Sequence, residues 1–123
     1  MGIDKVSLLK IDRDCFVDGD WMRNYTRVIV ATCKMFGLTV ESIRVSCSKR
    51  KGNHFYVHLT QPIEPHFANE VQYLLGDDGL RVDRNRARIR AGFNGWNRLF
   101  EVLGVRLRTS YRVPKRTAKM RRP

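Results

Sequence analysis

Residues 39–60, TVESIRVSCSKRKGNHFYVHLT, alternate apolar and polar side chains on both sides of a cationic turn. A period of two is the mark of a strand with one face on a core and the other turned outward. Ile43, Val45 and Cys47 point one way, and Arg44, Ser46 and Ser48 the other. After the turn Phe55, Val57 and Leu59 oppose His54, Tyr56 and His58. Gly52-Asn53 can adopt positive φ, which suits a tight reversal. Residues 39–48 and 54–60 are therefore expected as an antiparallel hairpin. A hairpin alone buries too little to be stable in water, so the other segments must supply further strands and a covering layer.

Those segments have their own periods. Val6 to Asp12, VSLLKID, reads as a strand with blurred alternation, as for one covered on both sides. Asp18-Gly19-Asp20 offers helix caps. Trp21 to Phe36 places Met22, Tyr25, Val28, Ile29, Thr32, Cys33 and Phe36 on one helical stripe. A second helix starts at Pro62–Pro65, carries Phe67, Ala68, Val71, Leu74 and Leu75, and ends at Gly76 before an Asp77-Asp78-Gly79 turn. Leu80 to Ala91 alternates again and reads as a strand, with Arg84, Arg86, Arg88 and Arg90 on one face and Asn85, Ala87, Ile89 and Ala91 on the other. Asn94 to Leu103 is expected as a short helix, and Val105 to Val113 as an edge strand bearing Arg106 and Arg108. Residues 114–123, PKRTAKMRRP, have no apolar pattern and read as a disordered basic tail.

The order β-α-β-β-α-β resembles the ferredoxin-like arrangement, shared by RNA-recognition-motif (RRM) domains. Right-handed crossovers then put both helices on one face and give the strand order 4-1-3-2. The expectation is one α+β domain over 1–113 and a tail over 114–123.

Charge points to a partner. Residues 1–80 hold ten Lys/Arg and ten Asp/Glu; residues 81–123 hold fourteen Lys/Arg against only Asp83 and Glu101, so the whole net charge of +12 lies in the last third. Solubility needs no such one-sidedness, whereas a polyanion does. The expected partner is nucleic acid, single-stranded by preference, since His54, Tyr56 and His58 would offer a stacking platform beside Lys10, Asp12 and the arginines. The expected contact set is Lys49, Arg50 and Lys51 in the turn, His54, Tyr56 and His58 in the strand, Arg84, Arg86, Arg88 and Arg90, Arg106 and Arg108, and Lys115 and Arg116 of the tail. Neither DNA nor RNA is singled out, and oligomeric state is open. A basic chain of this size fits a role in replication of a virus or mobile element.

The segment Lys51-Gly52 with Phe55 matches part of the RRM strand signature, while Asn53 and His54 depart from it. A second resemblance rests on Ile11-Asp12-Arg13-Asp14, on Ser46 to His54 running into Phe55-Tyr56-Val57, and on Val82-Asp83, in that order. This is similar to the motif series of archaeo-eukaryotic primases and primase-polymerases, whose palm is RRM-like. The resemblance implies that Asp12, Asp14 and Asp83 would hold Mg²⁺ or Mn²⁺ and that His54 would contact an incoming triphosphate. Metal-dependent nucleotidyl transfer, or an inactive relative of such an enzyme, is therefore the alternative to a binding protein without a cofactor.

Other classes lack their marks. Gly-rich phosphate loops and nucleophile elbows are absent, and apolar runs are too short for a membrane span. The start, MGIDKVSLLKIDRD, has no signal-peptide core. Cys15, Cys33 and Cys47 show no paired spacing, which fits reduced thiols in a cytoplasmic protein.

Overall fold

The hairpin forms where the alternation places it. In the computed structural model, which describes residues 2–13, 19–48, 52–99 and 107–112, the chain runs β1 (Val6–Arg13), α1 (Gly19–Met35), β2 (Val40–Ser48), β3 (Gly52–Ile63), α2 (Pro65–Leu74), α3 (Gly79–Arg90) and β4 (Leu107–Arg112). Strand β3 pairs antiparallel with both β1 and β2 to make a three-stranded core, and β4 adds to the free side of β2. The sheet order is β1-β3-β2-β4. The class is α+β, as expected.

Leu9 and Ile11 of β1, Ile43 and Val45 of β2, and Phe55, Val57 and Leu59 of β3 form one buried face. Met22, Tyr25, Ile29 and Cys33 of α1 and Ala68 and Val71 of α2 close over it. Burying one such aliphatic or aromatic side chain contributes about 1.5–3 kcal/mol, so this layer dominates stability. Four residues expected in the helical stripes are partly exposed: Val28, Phe36, Phe67 and Leu74. Phe36 lies past the end of α1 and meets Phe67 edge-on, with ring centroids 6.1 Å apart. In α2 the buried positions go instead to Asn69 and Gln72.

The segment expected as a fourth strand is a helix. Asp78 caps α3 by accepting from the Leu80 N–H at 3.2 Å. Arg81, Val82, Asn85 and Ile89 are its buried residues, and Gly92, at φ 84, ends it. Alternation of arginine with small or apolar residues over 80–91 satisfies a period of two. It leaves Val82, Asn85 and Ile89 at helical spacing, however, and Arg and Ala are strong helix formers. Docking settles the choice: Asn69 donates to the Val82 carbonyl at 3.0 Å, and Asn85 donates to Asn69 at 3.0 Å. The short helix expected from Asn94 is not formed over 94–99, which are turns and irregular chain; Trp96 there is fully buried.

With 80–91 helical, no strand lies beyond β1 among the described residues, and the order 4-1-3-2 is replaced by 1-3-2-4. At Lys10 and Asp12 the outward backbone groups of β1 are met by side chains instead. Lys10 N–H donates to Gln72 Oε1 and Asp12 N–H to Asp77 Oδ1, both at 2.9 Å, and Arg81 Nη1 donates to the Lys10 carbonyl at 3.0 Å. Arg81 also ion-pairs with the Asp77 carboxylate and donates to Asn97 Oδ1 at 2.5 Å and the Arg98 carbonyl at 3.0 Å. Gln72 and Asn97 exchange amide hydrogen bonds. This network ties α2, α3 and residues 97–98 to the β1 edge and satisfies groups that would otherwise be orphaned. The turn before Asp77 requires Gly76: its φ is 99, and a Cβ there would collide with the Arg13 guanidinium, which itself donates to the Leu75 carbonyl at 3.4 Å.

Candidate nucleic-acid interface

The sheet face away from the helices is ordered in cross-strand rows. Register places Leu8, His58 and Ser42 in one row, Lys10, Tyr56 and Arg44 in the next, and Asp12, His54 and Ser46 in the third. On β4, Arg112, Ser110 and Arg108 are the register partners of Ser42, Arg44 and Ser46. His54, Tyr56 and His58 thus share this face with Lys10 and Asp12, as the alternation requires.

The face is not uniformly accessible. Tyr56, His58, Lys10 and Arg44 are half-buried, whereas His54 and Ser46 are each only 3% exposed. His54 Nε2 stands 3.6 Å from Asp12 Oδ1. Burial corrects the expectation that His54 belongs to the exposed working surface. The accessible part is the first two rows, and in the middle one the Arg44 guanidinium lies 4.6 Å from the Tyr56 ring centroid in a cation–π contact.

The arginine comb does not exist as a comb. At about 100° per residue along a helix, positions 84, 86, 88 and 90 are spread around α3. Arg86 is engaged: its Nε and Nη2 grip the Glu70 carboxylate at 2.9 and 3.1 Å, and Nη1 meets Asp83 at 2.7 Å. The Arg86 hydrogen bond holds the Glu70 carboxyl below its ordinary range. Arg88 donates to Asn85 at 3.4 Å. Arg84 and Arg90 are exposed. On the helical wheel Arg84 and Arg88 flank the Arg81 side, toward the β1 edge and Arg98, whereas Arg86 flanks the α2 side. Lys49, Arg50, Lys51, Arg106, Lys115, Arg116 and the tail lie outside the described residues, and for Arg108 only the backbone register is described.

The carboxylate set of the alternative reading is not assembled as expected. Asp12 and His54 do meet, and Asp14 lies outside the described residues. Asp83 is exposed on α3 and bonded to Arg86. The carboxylate that reaches Asp12 is Asp77, through the Asp12 backbone N–H, and it is already engaged by Arg81. Among the described residues no three His, Cys, Asp or Glu side chains group as they would around a metal ion. Burial raises the Asp77 carboxyl above its ordinary value, opposed by Arg81 and by the N–H groups of Asp12 and Asp78; burial likewise lowers Arg81. Sequence pattern alone does not single out Asp77, Arg81, Gln72 or Asn97. The signal available was Asp77-Asp78-Gly79 followed by an arginine four residues after Asp77, the spacing of a helical ion pair.

Beside Lys10, at the β1 edge, lies a hollow of about 300 Å³ between β1 and the 94–98 turn, lined by Val6, Leu8, Lys10, Trp96 and Arg98 among others. It is predominantly apolar with cations at its margin.

No helix among the described residues is long and apolar enough to cross a membrane. No protein-family model matches this chain, and neither a curated protein nor a solved structure compared with it does.

Proposed function

We infer that this protein binds nucleic acid across the sheet face opposite the helices, with single strands preferred. One observation carries the reading: of the basic last third of the chain, α3 lies beyond the β1 edge and β4 beyond the β2 edge, one on either side of that face. A strand laid across the sheet would meet Arg84, Arg88 and Arg98 on one side, the Lys10-Tyr56-Arg44 row in the middle, and β4 on the other. Phosphates would pair with the guanidiniums and a base would stack on Tyr56. Because phosphate pairing releases counterions, affinity should fall steeply between roughly 50 and 200 mM salt.

Fluorescence anisotropy with single- and double-stranded oligonucleotides at those two salt concentrations tests this. Arg84→Ala with Arg88→Ala is expected to lower affinity by about tenfold and to reduce the salt slope by about two, one for each phosphate left without its arginine. Arg86→Ala, whose charge is already held by Glu70 and Asp83, is expected to change affinity less than about twofold by the same reasoning. Absence of binding at the lower salt would refute the reading. Mn²⁺-dependent nucleotide incorporation that vanishes in Asp12→Ala would replace it with the transferase alternative.

A further inference from the structure

The hollow beside Lys10 has features that the stacking platform lacks. Its walls are Val6 and Leu8 of β1 and the backbone turn Asn94-Gly95-Trp96-Asn97-Arg98. The turn is held rigidly: Asn94 Oδ1 accepts from the Asp4 N–H at 2.9 Å, Asn97 is locked to Gln72 and Arg81, and the Arg98 carbonyl accepts from Arg81 Nε. The side chains of the buried network are thus spent on building the wall. What faces a ligand is predominantly apolar surface, with Ser7 and Asn94 beside it and the cations Lys10 and the exposed Arg98 at the margin. An apolar slot of about 300 Å³ is at the small end of ligand pockets. Charge complementarity selects its occupant: a flat, weakly polar ring attached to an anion.

Lys10 links this slot to the rest of the surface. It is the register partner of Tyr56 and also lines the hollow, so the two positions are neighbours across one strand.

We propose that the hollow between β1 and the 94–98 turn receives one unpaired base of a bound strand, its phosphate held by Lys10 and Arg98, next to the base stacked on Tyr56. This rests on the nucleic-acid reading and deepens it: it makes single-strand preference a property of a particular pocket. A base inside a duplex is paired and stacked and cannot enter without being extruded. Backbone contacts from Arg84 and Arg88 do not discriminate in that way.

The test is to fill the hollow. Gly95 lines it, has no positive φ, and a Cβ there would meet only the Arg98 guanidinium at ordinary contact distance. Gly95→Leu should therefore fold and narrow the slot. Leu8→Trp fills it from the opposite wall, and urea unfolding reports whether each variant is folded. Either folded variant is expected to lose about tenfold in affinity for a single-stranded oligonucleotide, the scale of one stacked base, with duplex affinity changed less than about twofold. Equal losses on both substrates, or no loss on either, would overturn the pocket while leaving the nucleic-acid reading standing. Adenosine 5′-monophosphate alone, titrated against the amide NMR signals of residues 94–98, separates the two claims. Oligonucleotide binding without shifts there overturns the pocket and leaves the wider surface standing. No shifts, together with no oligonucleotide binding, refute both.

Discussion

The two edges of the sheet are closed by different chemistry. On the β2 side β4 adds a backbone ladder from Ser42↔Arg112 to Cys47↔Leu107. On the β1 side the same kind of outward N–H and C=O groups are met by Gln72, Asp77 and Arg81. A backbone ladder depends little on which residues form it, because every non-proline residue carries the same donor and acceptor. A side-chain seal depends on each of its members. The first edge should therefore tolerate most substitutions and fear proline; the second should fail at single positions.

The largest effect is expected at Arg81. Arg81→Ala strands the buried Asp77 carboxylate without its cation and removes the donor to the Lys10 carbonyl, a loss of about 3–5 kcal/mol. A shift in the urea midpoint checks it, and a loss below about 1 kcal/mol would show that the β1 edge does not need its seal.

Proline sharpens the comparison at the other edge. Lys10 bonds outward, so the antiparallel alternation across Tyr56 and Arg44 turns the Ser110 N–H outward and the Thr109 N–H toward Val45. Thr109→Pro should remove a ladder bond and cost about 3 kcal/mol, whereas Ser110→Pro, at an edge position, should cost less than about 1 kcal/mol. Equal costs would mean that the ladder does not close this edge.

The smallest effect separates both edges from the core between them. Burial pushes the Cys33 thiol up to about 11. The unfolded chain then releases this proton first, binds fewer protons than the folded chain, and stability falls as pH rises from about 9 toward 11. By pH 10 the loss is roughly 1 kcal/mol. Cys33→Ala should flatten that slope, read from unfolding at pH 8 and pH 10, while the edge variants should keep it. A slope unchanged in Cys33→Ala would assign the alkaline loss elsewhere.

Local pattern was a good guide wherever one period fitted a segment. The hairpin, β1 and α1 follow from alternation or helical spacing, and with them the outward face shared by Lys10, Tyr56 and His58, because each element buries one side. Residues 80–91 fit two periods at once. An arginine at every second position reads as a strand face, while Val82, Asn85 and Ile89 read as a helix face; the helix propensity of Arg and Ala leans to the second without deciding it. His54 shows the same limit at a single residue: alternation names its face, but burial depends on what else packs there.

The sequence by itself determined which side chains of β1 and of the β2–β3 hairpin share a sheet face, and that the positive charge is concentrated in the last third of the chain. Both are properties of local order along the chain. Tertiary structure decided that residues 79–90 are helical, that the β1 edge is sealed by Asp77 and Arg81, and that Asp77 rather than Asp83 reaches Asp12. The first rests on hydrogen bonds 13 and 16 residues apart, and the other two on hydrogen bonds between groups 62 to 71 residues apart. A buried ion pair or amide is favourable only once its partner has been brought to it, so its presence cannot be read from either partner's neighbours in sequence.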